Sequence, residues 1–213
     1  MQMQSITGND IVKSISKKNR RGIVWCIVGI IAAAAVMAAG LMLILENGRV
    51  FNGVLMIAAS ILGAYFALCY ISVLNKKRMD PEHCELFRKF GTPDSIAQTI
   101  ARESGEPLHD AKGVLVCDSF IMRKNDFESY IPLKEALAVY RSEHRTNGIP
   151  DAVYLVVTDS YGKAQQYPFR FGKAGKETMA RIMEHISQKA PDCVFGYSRE
   201  VLNYISQNRK TLS

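Results

Sequence analysis

Residues 22–45 read GIVWCIVGIIAAAAVMAAGLMLIL and residues 50–74 read VFNGVLMIAASILGAYFALCYISVL. Neither run holds a charged side chain, and only Glu46-Asn47-Gly48-Arg49 separates them. A bilayer core of roughly 30 Å takes about 20 helical residues, so each run is long enough to span one. A buried helix in a soluble protein needs one apolar stripe, whereas here every face is apolar. A cleavable signal peptide has an apolar core of about 7–15 residues. The first run is longer, and no polar segment follows its small residues, so the reading is an uncleaved helix. Asn-Gly tolerates the positive φ of a tight turn, and four residues leave no room for a folded extracytoplasmic domain. The two helices are therefore expected to be antiparallel neighbours. Ala59, Gly63 and Ala67 recur every fourth residue in the second run, as Ala35 and Ala39 do in the first. Small side chains let membrane helices approach closely; the plain alternative is that alanine is simply common in such helices.

The charge pattern assigns a direction. The chain has 213 residues and a formal net charge of +7. Residues 1–21 carry Lys13, Lys17, Lys18, Arg20 and Arg21 against Asp10, and Lys76, Lys77 and Arg78 follow the second run. The loop has Arg49 alone. The positive-inside rule then puts both termini in the cytoplasm of a plasma membrane. These eight basic residues read as membrane-flanking, which removes much of the reason to read the basic pI as nucleic-acid binding. The net charge over residues 75–213, with Lys76, Lys77 and Arg78 included, is only +3, too mild for a polyanion groove. Ile11, Val12 and Ile15 beside the lysines suggest a short interfacial amphipathic helix. The runs contain no ionisable residue that would mark a transport path. They read as an anchor.

Beyond the membrane the pattern is mixed. Asp80-Pro81-Glu82 has the form of a helix start, with a capping carboxylate, proline at the first position and an acid near the dipole. Gly91 ends that helix, and Thr92-Pro93-Asp94 starts another with Ile96, Ala97, Ile100 and Ala101 on one face. From Gly113 the period becomes that of strands: 113–117, 120–123, 127–133, 136–144, 152–158 and 165–169, parted by polar turns. This implies one strongly bent antiparallel sheet. Met179, Ile182, Met183 and Ile186 form the stripe of a covering helix, and Ser198 caps a last helix with Val201, Leu202 and Ile205 on one face. The expected organisation is a basic segment (1–21), a first span (22–45), a turn (46–49), a second span (50–74), juxtamembrane helices (75–110), a sheet-plus-helix domain (111–190) and a C-terminal helix (191–213). The fold class is α+β with a two-helix membrane hairpin.

Three scattered pieces, Phe90-Gly91-Thr92-Pro93-Asp94 with Ile96-Ala97, Ile131-Pro132-Leu133-Lys134 with Val139-Tyr140, and Pro191-Asp192 with Phe195-Gly196-Tyr197-Ser198, resemble a group of uncharacterised two-span bacterial membrane proteins of Firmicutes type. The strand-and-helix order of residues 110–190 resembles pleckstrin-homology-like (PH-like) domains. The resemblance implies a PH-like meander capped by an amphipathic helix and a membrane address, but no reaction.

The chemistry is sparse. Cys26, Cys69, Cys84, Cys117 and Cys193 include no Cys-x-x-Cys pair and read as small packing residues. His83-Cys84 is the most metal-like dipeptide, but His109, His144 and His185 have no ligand spacing, so no metal and no cofactor is expected. Gly172-Lys173-Ala174-Gly175-Lys176 lacks the spacing and the Ser/Thr of a phosphate loop; Lys173 and Lys176 remain weak candidates for an anion contact at a helix start. Ser119, Ser160, Ser198, Asp118 and Asp159 sit in turn or cap contexts. The expectation is a non-catalytic membrane-anchored adaptor. It would bind the bilayer and an unidentified protein partner, with oligomers possible through the hairpin. The alternatives are a lipid-binding surface sensor and an accessory subunit of a transporter or envelope complex.

Overall fold

Thr7 opens the first helix with a reciprocal cap: its hydroxyl accepts from the Asp10 N–H at 3.3 Å, while Asp10 Oδ2 accepts from the Thr7 N–H at 3.0 Å. The structure is a computed structural model and describes residues 5–47, 50–80, 84–111, 113–147 and 149–211. The chain divides into two compact units, one of Val12–Cys84 and one of Met1–Ile11 with Glu85–Ser213.

The first unit holds α1 (Gly8–Asn47) from Val12 onward, and α2 (Val50–Met79). Both are long and apolar enough to cross a membrane. At 1.5 Å per residue α1 is about 60 Å long. The basic segment expected as a separate short helix is thus the first part of one continuous helix. Its amphipathic pattern is present, with Ile11, Ile15 and Asn19 buried on one side and Lys13, Lys17 and Arg20 exposed. Large apolar side chains face outward along both helices: Trp25 is 74% exposed and Phe51 79%.

The seam between the helices differs from the expected one. The more sheltered positions recur every seven residues: Asn19, Cys26, Ala33 and Gly40 in α1, and Gly53, Ser60, Ala67 and Leu74 in α2. This is the repeat of a left-handed helix pair. The backbones come close at Gly40 and Gly53, where a Cβ on Gly53 would stand 2.6 Å from the Gly40 carbonyl oxygen. Ala35, Ala39 and Ala59 face outward, and nothing lies within 4 Å of a Cβ built on Gly63. A four-residue stripe advances about 40° around the helix per step, so it leaves the contact line that a seven-residue repeat follows. The expected turn falls partly on Gly48 and Arg49, which lie outside the described residues.

The second unit is α+β. The Asp80 N–H donates to the Lys76 carbonyl at 3.1 Å, as the end of α2. The expected helix start at Asp80-Pro81-Glu82 runs into residues 81–83, which lie outside the described residues; α3 (Glu85–Phe90) follows them. Thr92 caps α4 (Pro93–Glu103) as expected, accepting from the Ser95 N–H. Seven strands then run as an antiparallel meander. The first four are β1 (His109–Ala111), β2 (Val114–Val116), β3 (Phe120–Arg123) and β4 (Asp126–Pro132). A 3₁₀ turn, Leu133–Glu135, leads to β5 (Ala136–Thr146), β6 (Ile149–Asp159) and β7 (Ala164–Phe169).

The expected single bent sheet is two. One has the order β1-β2-β3-β4; the other has β7-β6-β5-β8, where β8 (Val194–Phe195) is parallel to β5. The break falls at Pro132, which has no N–H to extend the ladder, and at the 3₁₀ turn after it. α5 (Lys173–Lys189) covers one core shared by both sheets: its Met179, Ile182 and Ile186 join Val116, Ile121, Ile131, Leu133, Val139, Val153, Leu155, Val157 and Tyr167. Tyr167 is fully buried and its hydroxyl donates to the Ser129 carbonyl at 2.5 Å, tying β7 to β4. α6 (Arg199–Asn208) is capped by Ser198, whose hydroxyl accepts from the Val201 N–H at 3.2 Å.

Candidate functional site

The flank of β5 beyond β8 is one of the sheet edges of the second unit. On one side β5 pairs with β6 from Ala136↔Asp159 to Thr146↔Ile149. On the other it pairs with β8 at Ala138 and Val139 only. From Tyr140 to Thr146 that flank carries no strand among the described residues. A sheet edge without a neighbouring strand is a template for strand addition. The side chains along it are mainly charged: Arg141 and Arg145 both bond Glu143.

The segment beside this flank comes from the chain's own C-terminal region. Gly196 donates its N–H to the Val139 carbonyl at 3.0 Å with φ +104°, a conformation that glycine adopts without a Cβ penalty. This glycine turns the chain out of β8. Tyr197 then lies over Tyr140, ring centroids 4.9 Å apart. Phe195 is 39% exposed and Tyr197 65%. No residue of α6 is fully buried.

A second cluster surrounds the turn between β6 and β7. Lys89 and Asp159 form a pair at 3.1 Å with both side chains 3% exposed. Asp159 Oδ1 also accepts from the Tyr161 and Lys163 N–H groups. Lys89 bonds Glu85 at 2.7 Å and lies 5.0 Å from the Tyr161 ring centre. A shallow cavity of about 320 Å³ opens here, lined by Lys89, Tyr161, Lys163, Arg209 and Lys210 among others. Lys210 bonds Glu135 at 2.6 Å, and Ser160 donates to the same carboxylate at 2.5 Å. Burial works against the charge of Glu135, but Lys210 and Ser160 outweigh it and hold the carboxyl below its usual range. These contacts tie α3, the 3₁₀ turn and the tail to the β6–β7 corner. They are bonds of the fold rather than vacancies for a ligand.

The residues singled out from the sequence fall as follows. Lys13, Lys17, Lys18, Arg20 and Arg21 lie exposed on α1, and Lys76 is exposed on α2. Lys77 and Arg78 lie on α2, and their side chains are outside the described residues. Lys173 and Lys176 occupy the first turn of α5, after Gly172, which supplies no side-chain cap. Lys173 is 92% exposed and meets Glu177 only at 3.9 Å. The structure does not bring these two lysines into a closed site. A cavity of about 170 Å³ lies beside them, lined by His109, Phe169, Arg170, Ala174, Gly175 and Thr178. His109 stacks on Phe169 at 5.1 Å; burial, then nearby Arg181 and Lys124, depress its pKa against the pull of Asp110.

The serines and aspartates expected in turns and caps are held there. Ser119 donates through N–H and hydroxyl to Glu103, and Asp118 accepts from Lys189 at 2.8 Å. Cys84, Cys117 and Cys193 are buried, and burial pushes the Cys117 and Cys193 thiols up to about 12. Cys69 is exposed on α2 rather than packed within the chain. His83 lies outside the described residues. Among the described residues no three His, Cys, Asp or Glu side chains cluster as metal ligands. Sequence reasoning missed Lys89, Asp159 as its partner, and β8. The first two are separated by 70 positions, and β8 is too short to show a period.

No family model, curated protein or solved structure matches the chain. Its function is therefore argued from its own geometry.

Proposed function

We propose that the chain is a non-catalytic, membrane-anchored adaptor of a bacterial plasma membrane. In this reading α1 and α2 span the bilayer as a hairpin, both termini are cytoplasmic, and the second unit is a PH-like binding domain. The outward-facing Trp25 and Phe51 favour lipid over water around the helices. Lys13, Lys17, Lys18, Arg20, Arg21 and Lys76–Arg78 supply the positive flanks of an N-in hairpin. The order of four strands, then three, then α5 over a shared core supports the PH-like assignment.

The observation that carries the adaptor reading is the side of β5 on which no strand among the described residues pairs beyond Val139, which suits a partner arriving as an extended strand. The test is site-specific photo-crosslinking of the full chain in membranes. A photoreactive residue at Ser142 on β5 should capture a partner through an extended segment, and Arg141→Pro beside it should abolish the product. A crosslink that survives Arg141→Pro, or that appears equally from a control position such as Gln98 on α4, would refute the strand-addition mode.

A second reading, a lipid-surface sensor, is favoured by one observation. Leu108 and Phe171 are exposed apolar residues, each next in sequence to a residue lining the cavity at the start of α5, and Arg170, Lys173 and Lys176 are exposed nearby. Basic residues near an anionic leaflet gain about 1 kcal/mol each. With the full chain in nanodiscs, this reading requires that Phe171 amide exchange slow as phosphatidylglycerol replaces phosphatidylcholine. Identical exchange in both discs removes it.

A further inference from the structure

We infer that the start of α1 is a detachable part of the second unit, and that through it the tilt of a membrane helix is passed to α4. The fold thereby holds a device that responds to bilayer thickness. This goes beyond the adaptor reading: it uses that reading's hairpin in the bilayer and nothing of the β5 edge.

The second unit is not one stretch of chain. It takes the residues up to Ile11 and resumes at Glu85, so the helix pair is an insertion within it. The boundary after Ile11 falls inside a helix, because α1 runs without a break from Gly8 to Asn47. Sharp kinks come from proline, glycine or an interrupted hydrogen-bond ladder. α1 has no proline, and no glycine between Gly8 and Gly22. One stiff helix thus begins in the second unit and carries the first uncharged run.

Its beginning has a narrow footing. Thr7 and Asp10 cap each other, and Ile6 and Ile11 are buried. Gly8 lies against the start of α4. A Cβ on Gly8 would stand 2.8 Å from the Asp94 nitrogen and 2.9 Å from the Pro93 carbonyl carbon, besides meeting the Asp94 carboxylate. Those are backbone atoms that a side chain cannot push aside, so only glycine lets the two helix starts meet this closely. α4 buries Ile96, Ala97 and Ile100 along its length. At its far end Glu103 accepts from the Ser119 N–H at 2.9 Å and from the Ser119 hydroxyl at 2.7 Å. A shift of the α1 start therefore reaches the β2–β3 turn through α4.

The bilayer supplies the drive. At 1.5 Å per residue the uncharged run of residues 22–45 is about 36 Å long, against a hydrocarbon core of roughly 30 Å. A helix longer than the core takes up the excess by tilting, and a thinner bilayer demands more tilt. Tilting a stiff helix moves its end, so the start either carries α4 with it or leaves its seat at Pro93-Asp94. The unseated form is a minor state, of the order of 1–10%, and thinning the bilayer raises its share.

The experiment measures amide exchange of the full chain in vesicles of short-chain dimyristoleoyl and of long-chain dierucoyl phosphatidylcholine. Three chains are compared: the unaltered one, Gly8→Val, and one with Gly-Ser-Gly-Ser inserted after Lys18. The insert interrupts the stiff helix and leaves the footing intact; Gly8→Val spoils the footing and leaves the helix stiff. In the unaltered chain the Ile100 and Ser119 amides should exchange about 5–10-fold faster in the thin bilayer, following the unseated share. The Leu155 and Val156 amides of β6 should not change, which also shows that each chain is folded. With the insert the two bilayers should give equal, slow rates at Ile100 and Ser119, and with Gly8→Val equal, fast ones. Equal rates in both bilayers for the unaltered chain, or a lipid dependence that survives the insert, would overturn the device and leave the membrane anchor standing. A chain that enters neither kind of vesicle would overturn both.

Discussion

Lys89→Met tests whether the corner between β6 and β7 is held by a buried charge pair. Lys89 and Asp159 are 3.1 Å apart and each side chain is 3% exposed. Methionine keeps the stem and removes the ammonium, so Asp159 is left charged and shielded from water. Breaking a buried pair by removing one partner costs about 3–5 kcal/mol. The lower end applies here, because Asp159 keeps the N–H groups of Tyr161 and Lys163 at 3.0 and 2.8 Å, and Glu85 keeps Lys163 at 3.0 Å. About 3 kcal/mol corresponds to roughly a 150-fold fall in equilibrium constant. The readout is the exchange protection of the amides of Leu155, Val156 and Val157, which report global opening. The only tryptophan, Trp25, lies on α1 and is no reporter for this unit. The double variant Lys89→Met/Asp159→Asn should recover about 1–2 kcal/mol of the loss, since no buried charge is then orphaned. A fall below tenfold for the single variant, or no recovery in the double, refutes the argument that this pair is desolvated and coupled.

The carboxyls of Glu85, Glu103 and Glu135 lie below their ordinary value of 4.5: in each, burial raises the pKa, but hydrogen bonds and cations, respectively Lys89 with Lys163, Arg102 with Ser119, and Lys210 with Ser160, outweigh it. Over the interval between the lowered and ordinary values the unfolded chain binds more protons, so their stabilisation is present above pH 4.5 and is lost as pH falls through the lowered values; urea midpoints that stay flat from pH 6 to pH 3 contradict this. Gly53→Val drives a side chain into the Gly40 carbonyl and Ile44, and overpacking of this kind costs about 1–3 kcal/mol, so spin labels on α1 and α2 near this crossing should move apart; an unchanged distance refutes the close approach. At pH 8 iodoacetamide should leave Cys117 unmodified until the chain is denatured, given its burial and raised pKa; native modification detected by mass spectrometry contradicts that burial. Ser198→Ala removes the cap of α6 at a cost of about 1 kcal/mol and should speed exchange in α6 while leaving β6 unchanged, which hydrogen exchange reads in a single experiment.

The parts of the fold legible in the sequence are those decided within about one helical turn or one hairpin. Thr92 and Ser198 announce their helices because the cap and the N–H it accepts are three residues apart. Val153, Leu155 and Val157 announce β6 because alternate positions share a face, and Met179, Ile182 and Ile186 announce the covering face of α5. His109-Asp110-Ala111 carries no β-branched or aromatic residue, and it is a strand because Val114–Val116 folds back on it. β8 is set by an edge more than fifty residues earlier in the chain. The split into two sheets follows from the 3₁₀ turn after Pro132, a short polar-looking stretch that reads as an ordinary continuation of the meander.

The candidate site was less legible for a related reason. Lys89 looks like any surface lysine of a short helix, and it is buried because the corner around Asp159 and Tyr161 closes over it. Lys173 and Lys176 looked like a possible anion contact, and the fold leaves them open at the start of α5. Lys89, Asp159 and Glu135 are satisfied by other parts of the same chain, so their charge is used for cohesion. The second sheet also has an edge: on the β8 side, no strand among the described residues pairs with β5 beyond Val139. Side-chain chemistry can be searched for in a sequence, but an open hydrogen-bonding edge cannot, because every residue carries the same N–H and C=O and only pairing decides which are left over. A binding function that uses the backbone edge therefore fits a chain whose residues advertise a membrane address clearly and a ligand hardly at all.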